Sequence, residues 1–324
     1  MHMINRQSIL PTRREILKQA ARATGLGAAA TLLGWPLRES RGEQPKAPSH
    51  MKYAICNETF GDWPMEKAFA FAAECGYRGI EIAPFTVGPL VTDVSAKRRA
   101  EVRRLVERAG LEVVGLHWLL AQTKGFHVTT SDAQVRRKTA DYFCELARFC
   151  ADLGGKTMIL GSPQQRSLTP DVSKEQGMKH AAEVLLATVP TLEKTKVIIG
   201  LEPLAPVETN FLTTAAEAVE LMEMVGSPRC RLHLDCKAMA AESIPAAELI
   251  RKYHAILVHF HANDPNYQGP GFGKLDFVPI LAALREVGYR GWVSVEALDF
   301  SAGPERISRE SIQYLQRCEL ASNG

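Results

Sequence analysis

Three common kinds of functional site are missing from this sequence. Its seven cysteines form no C-x-x-C pair and show no metal-ligand spacing, so they predict neither a zinc site nor a redox motif. No P-loop occurs, and the glycine run at 269–273 does not follow a Rossmann-type fingerprint, so neither phosphate-binding motif is present. Because an odd number of cysteines cannot all pair internally, we expect mostly buried thiols.

A long apolar run is also missing. The longest apolar, small-residue stretch covers residues 23–37, which is shorter than the roughly 20 residues that a helix needs to span a bilayer. It follows residues 12–18, whose paired arginines resemble a twin-arginine export signal. We therefore interpret residues 1–50 as a twin-arginine export signal and linker, which predicts an exported, periplasmic protein that engages the export machinery. A basic N-terminal helix of the domain is the alternative interpretation.

The charge balance argues against a nucleic-acid partner. The chain has 39 basic and 36 acidic residues, a net charge of +3. Residues 1–50 hold eight basic and three acidic residues, which leaves 39 − 8 = 31 basic and 36 − 3 = 33 acidic residues, a net of −2, for the remainder. A near-neutral body lacks the basic surface by which proteins bind nucleic acid.

From residue 51 onwards, short apolar runs rich in β-branched residues alternate with amphipathic helical stretches. The pattern repeats eight times over about 270 residues, the usual size of one such barrel. Strict alternation of strand and helix predicts a parallel sheet covered by helices. We therefore predict fold class α/β, with a single (β/α)8 TIM barrel over residues 51–324 and no second domain.

Four polar residues end the last four predicted strands, namely Glu202, Asp235, His261 and Glu296. The carboxyl ends of the strands of such a barrel meet at one rim, where active sites are built. Three carboxylates and one imidazole suit a hard, octahedral divalent cation. We predict a divalent metal ion here, Mn²⁺ first and Mg²⁺, Co²⁺ or Zn²⁺ as alternatives. Each residue could instead cap a strand at a solvated loop.

The alternation of side chains along a strand predicts a second polar layer. If the four ligands point into the barrel, residues two positions earlier point inward as well. His233 and His259 occupy two of these positions. We predict that they lie one layer below the metal and orient its ligands.

The ligand set also predicts a type of chemistry. Four protein ligands leave two cis positions, which suit a carbonyl oxygen and the neighbouring hydroxyl of a sugar. Chelation would stabilise the enediolate formed when the α-proton leaves. Glu202 and Glu296 come from strands that face each other across the rim. We predict that one removes the proton and the other returns it, which inverts the carbon.

Further candidates for substrate contacts lie at other strand ends. His117 and Trp118 end the third predicted strand, and a tryptophan can stack on a sugar face while a histidine donates to a hydroxyl. Lys237, two residues after Asp235, is a candidate contact to a substrate oxygen. The alternatives are that Trp118 belongs to the core and that Lys237 is a solvated loop residue.

The stretches LEPLAPVETNFL, HLDCKAM, HFHANDPNYQGPGFGKLDF and WVSVEAL, in this order, resemble motifs of xylose-isomerase-like sugar isomerases and epimerases, particularly ketose 3-epimerases. The likeness covers residues 51 to about 321. It implies the four metal ligands named above, with the two glutamates as the acid/base pair, and Glu208 as a substrate hydroxyl contact. Two positions depart from the family pattern: Ala238 replaces a histidine and Tyr267 replaces an arginine. In the family this histidine and this arginine contact substrate oxygens, and we keep Tyr267 as a candidate substrate contact.

We therefore predict a metal-dependent sugar isomerase or epimerase that acts on a small carbohydrate, with a homo-oligomer as a further possibility. A lyase or hydratase of 3-keto-glycosides with the same enolising site is the alternative, which the two departures and an exported location favour. A non-catalytic sugar-binding protein and an apurinic-site endonuclease-like hydrolase are the weaker alternatives. The hydrolase would need additional histidines for three zinc ions and a basic groove.

Overall fold

The computed structural model describes residues 51–322, in which eight strands alternate with eight main helices. The predicted export signal lies outside these residues and stays a prediction. The strands are β1 (Lys52–Cys56), β2 (Gly79–Ile82), β3 (Glu112–Leu116), β4 (Thr157–Leu160), β5 (Ile198–Leu201), β6 (Cys230–Asp235), β7 (Leu257–Ala262) and β8 (Trp292–Val295). The helices that follow them are α1 (Met65–Cys75), α2 (Ala96–Arg108), α3 (Ala133–Leu153), α4 (Lys174–Thr195), α5 (Ala215–Val225), α6 (Ala246–Tyr253), α7 (Val278–Glu286) and α8 (Pro304–Ala321).

The sheet closes on itself. Every strand pairs in parallel with the next one along the chain, and β1 pairs in parallel with β8. This closed parallel barrel confirms the predicted TIM fold. No helix within residues 51–322 combines the length and the apolar character needed to cross a membrane.

Local signals in the sequence set most helix ends. Ser95 and Asp132 accept hydrogen bonds from the first-turn amides of α2 and α3, and Ser173 forms a capping box with Gln176 at the start of α4. Gly76 and Gly154 end α1 and α3 in the left-handed conformation. Local sequence therefore fixes where these helices begin and end.

The core has an apolar layer outside the barrel and a polar layer inside it. All residues of β2 and β4 are buried. Glu81, His233 and His259 are fully buried within strands that are otherwise mainly apolar. Within the described residues all seven cysteines are free, and five of them are buried, as the sequence predicts.

The last helix holds the first strand in place. The buried carboxylate of Glu319 in α8 accepts a hydrogen bond from the backbone N–H of Met51, at 2.9 Å, and one from the hydroxyl of Tyr53, at 2.8 Å. The hydroxyl of Tyr77, just before β2, donates to the carbonyl of Ser308 at 2.9 Å. These bonds join the two ends of the described chain where the barrel closes.

We expect Glu319→Ala to lower the free energy of unfolding by about 2–4 kcal/mol, because two buried donors lose their acceptor. Urea unfolding monitored by circular dichroism measures the change. Glu310→Ala is the matched control, since Glu310 lies on the same helix and makes only an exposed pair with Arg306. We expect no measurable loss for the control, and equal losses in the two variants would contradict the role of Glu319.

Candidate metal centre

The four predicted ligands meet at the carboxyl-terminal rim of the barrel. One ligand atom from each of Glu202, Asp235, His261 and Glu296 lies within 4.8 Å of all the others, and all four residues are buried. His261 Nδ1 lies 3.3 Å from Glu296 Oε2 and 3.7 Å from Glu202 Oε1. Nδ1 of this buried ring has no hydrogen-bond partner among residues 51–322, so it is available to coordinate a cation.

Two of these predicted ligands lie one residue beyond the end of an observed strand, although the sequence predicted them as the last residues of those strands. β5 ends at Leu201 and β8 at Val295, so Glu202 and Glu296 begin the following loops. Their backbone N–H groups still donate to the neighbouring strands, Glu202 to the carbonyl of Leu160 at 3.3 Å and Glu296 to that of Ala262 at 3.2 Å. These hydrogen bonds to neighbouring strands thus position both carboxylates, although each strand ends one residue earlier.

The carboxylate of Glu202 packs against the backbone of Gly161, which carries no side chain. A Cβ at Gly161 would lie 1.6 Å from Glu202 Oε2, so any larger residue at this position would displace the carboxylate. The buried guanidinium of Arg166 donates through Nη1 to the carbonyls of Leu160, at 3.1 Å, and of Glu202, at 2.5 Å. Arg166 therefore fixes the backbone that carries the Glu202 side chain.

Asn263, which sequence reasoning missed, connects two of the ligands. Its Nδ2 donates to Asp235 Oδ2 at 2.5 Å and to Glu296 Oε2 at 3.2 Å. The other oxygen of Asp235 caps the one-turn helix Cys236–Met239 by accepting from the N–H of Ala238 at 2.8 Å. Asn263 lies two residues after His261, so the alternation along β7 contains the signal for its inward position.

A carboxylate below the ligands sets the orientation of His261. Glu81, fully buried in β2, accepts through Oε2 from Nε2 of His259 at 2.8 Å and from Nε2 of His261 at 3.2 Å. Because a carboxylate only accepts, His261 donates through Nε2, and the lone pair of Nδ1 faces the other ligands. A carboxylate behind a histidine is the usual arrangement at protein metal sites.

The second predicted histidine of the lower layer has a different role from His259. His233 is fully buried, and neither of its ring nitrogens has a hydrogen-bond partner within the described part of the chain. Its ring stacks on His259 with centroids 5.4 Å apart and meets the edge of His261 at 4.2 Å. Its Nε2 lies 3.6 Å from Glu202 Oε1, so His233 packs on His261 and also lies beside a second predicted ligand.

The electrostatics of the cluster fit a cation. Burial raises the pKa of Asp235 to about 7, with Glu202 and Glu296 acting in the same direction and Lys237 opposing them. Burial lowers the pKa of His261, but the neighbouring carboxylates outweigh it and raise this pKa well above its ordinary value. Buried carboxylates at this separation need a positive charge between them. The donor set of three carboxylates and one imidazole nitrogen fits a divalent metal ion.

Comparison with known proteins agrees with this geometry. The family model described as a xylose isomerase-like TIM barrel matches residues 69–318. The chain belongs to this family. A relative, fructoselysine 3-epimerase of Escherichia coli O157:H7, is 24% identical over 259 residues, which cover 77% of this chain and 92% of the relative.

Solved structures of this family share the fold. D-psicose 3-epimerase with D-tagatose from Clostridium cellulolyticum H10 superposes with a TM-score of 0.74 at 18% identity, over 83% of this chain and 99% of that one. A 3-keto-D-glucoside 4-epimerase from E. coli, in the apo form, superposes with a TM-score of 0.72 at 20% identity, over 83% and 100% of the two chains. Among the xylose isomerase-like barrels that this chain matches, sugar epimerases recur, which supports an isomerase or epimerase.

Three predicted substrate contacts lie together at the rim. Lys237 Nζ lies 2.6 Å from Glu208 Oε2 and 5.5 Å from the centroid of the Tyr267 ring. Lys237 is only 5% exposed, so the alternative of a solvated loop lysine is wrong. Tyr267 has a left-handed backbone with φ +68°. Its carbonyl accepts from Leu298 and Asp299, which joins the loops after β7 and β8.

The other two predicted contacts lie on the opposite part of the rim. His117 is fully buried and its Nε2 lies 2.8 Å from an oxygen of Glu58, in the short 3-10 turn after β1. Burial lowers the pKa of His117, but Glu58 more than compensates and raises it to about 9. Trp118 is half-buried, so it does not belong to the closed core. Glu58 was missed because nothing in its local sequence marks it as a partner of β3.

We expect Glu81→Gln to weaken Mn²⁺ binding about 10- to 100-fold. Without the carboxylate behind it, the imidazole of the predicted ligand His261 is less basic and its ring is held less firmly in orientation. Isothermal titration calorimetry with a competing chelator measures the affinity. Glu107→Gln on α2 is the control, because Glu107 is exposed and pairs only with Arg103 on its own helix. An unchanged Mn²⁺ affinity in a folded Glu81→Gln protein would contradict the proposed orientation of His261.

Proposed function

We propose that the protein is a metal-dependent sugar epimerase that inverts a carbon next to a carbonyl group by removing and returning a proton. The observation that carries the proposal is the pair of buried carboxylates, Glu202 and Glu296, which follow different strands and belong to one ligand cluster. The family and its epimerase relatives support the same conclusion.

The two glutamates are suited to act as acid and base. Glu202 follows β5 and Glu296 follows β8, three strands further around the barrel. We infer that the two carboxylates approach a carbon bound at the cluster from different sides. When bound, a divalent cation polarises the carbonyl and stabilises the negative charge that develops on its oxygen. Glu202 and Glu296 are each 3% exposed, so little bulk water competes with a substrate for their carboxylates.

Polar groups on both sides of the cluster would hold the sugar. Lys237 and Glu208 form a charged pair on one side, and His117 with Glu58 forms a second pair on the other. Both pairs are held by short contacts within the protein, so their positions are set before a substrate enters. We assign them to hydroxyl groups next to the reacting carbon, where orientation determines which carbon lies between the two glutamates.

A second candidate function, elimination or hydration of a 3-keto-glycoside, uses the same proton abstraction. It is favoured by the two positions at which the chain departs from ketose 3-epimerases. Ala238 is buried and offers no polar side chain, and Tyr267 is 38% exposed beside Lys237. The rim therefore recognises substrate oxygens with a lysine and a phenol where free-ketose epimerases use a histidine and an arginine.

We expect the Mn²⁺-loaded protein in D₂O to place one deuterium on the inverted carbon of a ketose or a keto-glycoside. Glu296→Gln should lower this epimerisation by about 10²- to 10⁴-fold, the usual contribution of a general acid or base. Glu202, still present, should continue to exchange the proton of one epimer without inversion. NMR of the recovered sugars measures both processes.

The metal content of each variant is measured in the same samples, because Glu296 is also a candidate ligand. Glu305→Gln, an exposed change in the first turn of α8, serves as the control. Inversion without deuterium uptake would contradict the two-base mechanism. Release of the aglycone or uptake of water would instead identify the lyase or hydratase.

We also propose that the protein is exported through the paired arginines at positions 13 and 14. Replacing both by lysine is expected to leave the protein in the cytoplasm, because twin-arginine signals are read by a receptor that requires them. Fractionation of the host cell, with the unchanged chain as control, measures the distribution. Equal export of both chains would contradict the proposal.

A further inference from the structure

A cleft of about 340 Å³ opens at the rim between the loops that follow β3 and β4. This volume lies within the range of small-molecule sites. Neither the metal ligands nor the charged pairs described above line it. Apart from one alanine, the cleft is lined by Trp118, Gln122, Ser162, Pro163, Gln164 and Gln165.

The cleft adjoins the metal centre on both of its walls. Trp118 directly follows His117, whose ring centroid lies 6.0 Å from that of His261. Ser162 directly follows Gly161, the residue against which the Glu202 carboxylate packs. The N–H of Leu120 donates to Ser162 Oγ at 3.1 Å and so joins the two loops. Both walls of the cleft are therefore continuous in the chain with residues that surround the metal ligands.

The lining offers hydrogen bonds without charge. The side chains of the three glutamines make no hydrogen bond to any residue in the range 51–322, so each amide has donors and an acceptor free for a ligand. No Asp, Glu, Lys, Arg or His lines the cleft. A phosphate or carboxylate would find no countercharge there, which favours a neutral ligand rich in hydroxyl groups.

An aromatic side chain completes the cleft. Trp118 is half-buried, and its ring packs beside Phe85 with centroids 6.0 Å apart. Trp118 and Gln122 both have left-handed backbones, with φ +50° and φ +60°. Such a backbone conformation is unfavourable for a bulky residue and persists only where the surrounding structure enforces it. The surrounding fold therefore holds the indole in place, as a flat apolar face beside free amides.

We propose that this cleft binds a second, neutral sugar ring, so that the substrate of the metal centre is a glycosylated keto sugar rather than a free ketose. The inference rests on the proposed function for the ring that reacts. It adds that recognition of the substrate extends beyond that ring, through stacking on Trp118 and hydrogen bonds to Gln164 and Gln165.

The test compares dissociation constants of the full-length, Mn²⁺-loaded protein for D-fructose and for two glucosyl- or galactosyl-fructoses, isomaltulose and lactulose. We expect at least one disaccharide to bind about 10-fold more tightly than D-fructose, the value of one or two additional hydrogen bonds. The double variant Gln164→Ala, Gln165→Ala should reduce this preference to less than about threefold. Gln313→Ala, an exposed change on α8, should retain it.

Equal affinities for all three sugars, or a preference that survives in the double variant, would overturn the subsite. Deuterium exchange in the same samples separates this inference from the proposed function. Tighter disaccharide binding without exchange of any sugar would refute the epimerase and retain the subsite. Exchange of free and glycosylated ketoses with equal kcat/KM and equal affinity would retain the epimerase and refute the subsite.

Discussion

Negative charge buried at the mouth of the barrel is the constraint to which the rest of the site responds. Glu81, Glu202, Asp235 and Glu296 lie out of water in one small volume, where unpaired carboxylates are costly. Neighbouring residues each offset part of this unfavourable free energy. Two histidines bond Glu81, Asn263 bonds two ligands, and Lys237 lies close enough to Asp235 to oppose the rise in its pKa. What remains at the centre suits a cation.

The fold and the four ligands followed from periodicity, whereas the partners of those ligands did not. Strand and helix spacing depend on local sequence, and each ligand stands at a strand end that the sequence itself marks. Glu81 and His259 meet across the barrel although they are 178 residues apart in the chain. Such a contact forms only when the sheet closes, so no short stretch of the sequence predicts it. The same holds for Glu58 and His117, which β1 and β3 bring together.

The difference at two strand ends and the failure of the solvated alternative for Lys237 have physical causes. Glu202 and Glu296 were placed inside strands because the apolar run continues up to them, but the parallel ladder ends one residue earlier on each strand. Lys237 seemed free to be solvated because it follows a strand. In the structure the one-turn helix capped by Asp235 turns it back towards Glu208, where a buried ion pair holds it.

The bonds from Glu319 to Met51 and Tyr53 have a consequence for biosynthesis. The carboxylate that secures the first strand lies 268 residues after Met51, so the ribosome makes all eight strands before this bond can form. Until then β1 lacks both its helix-borne acceptor and, for most of synthesis, its neighbour β8. Until β8 is made, one edge of β1 has no partner, and such an edge is open to pairing with other chains during translation.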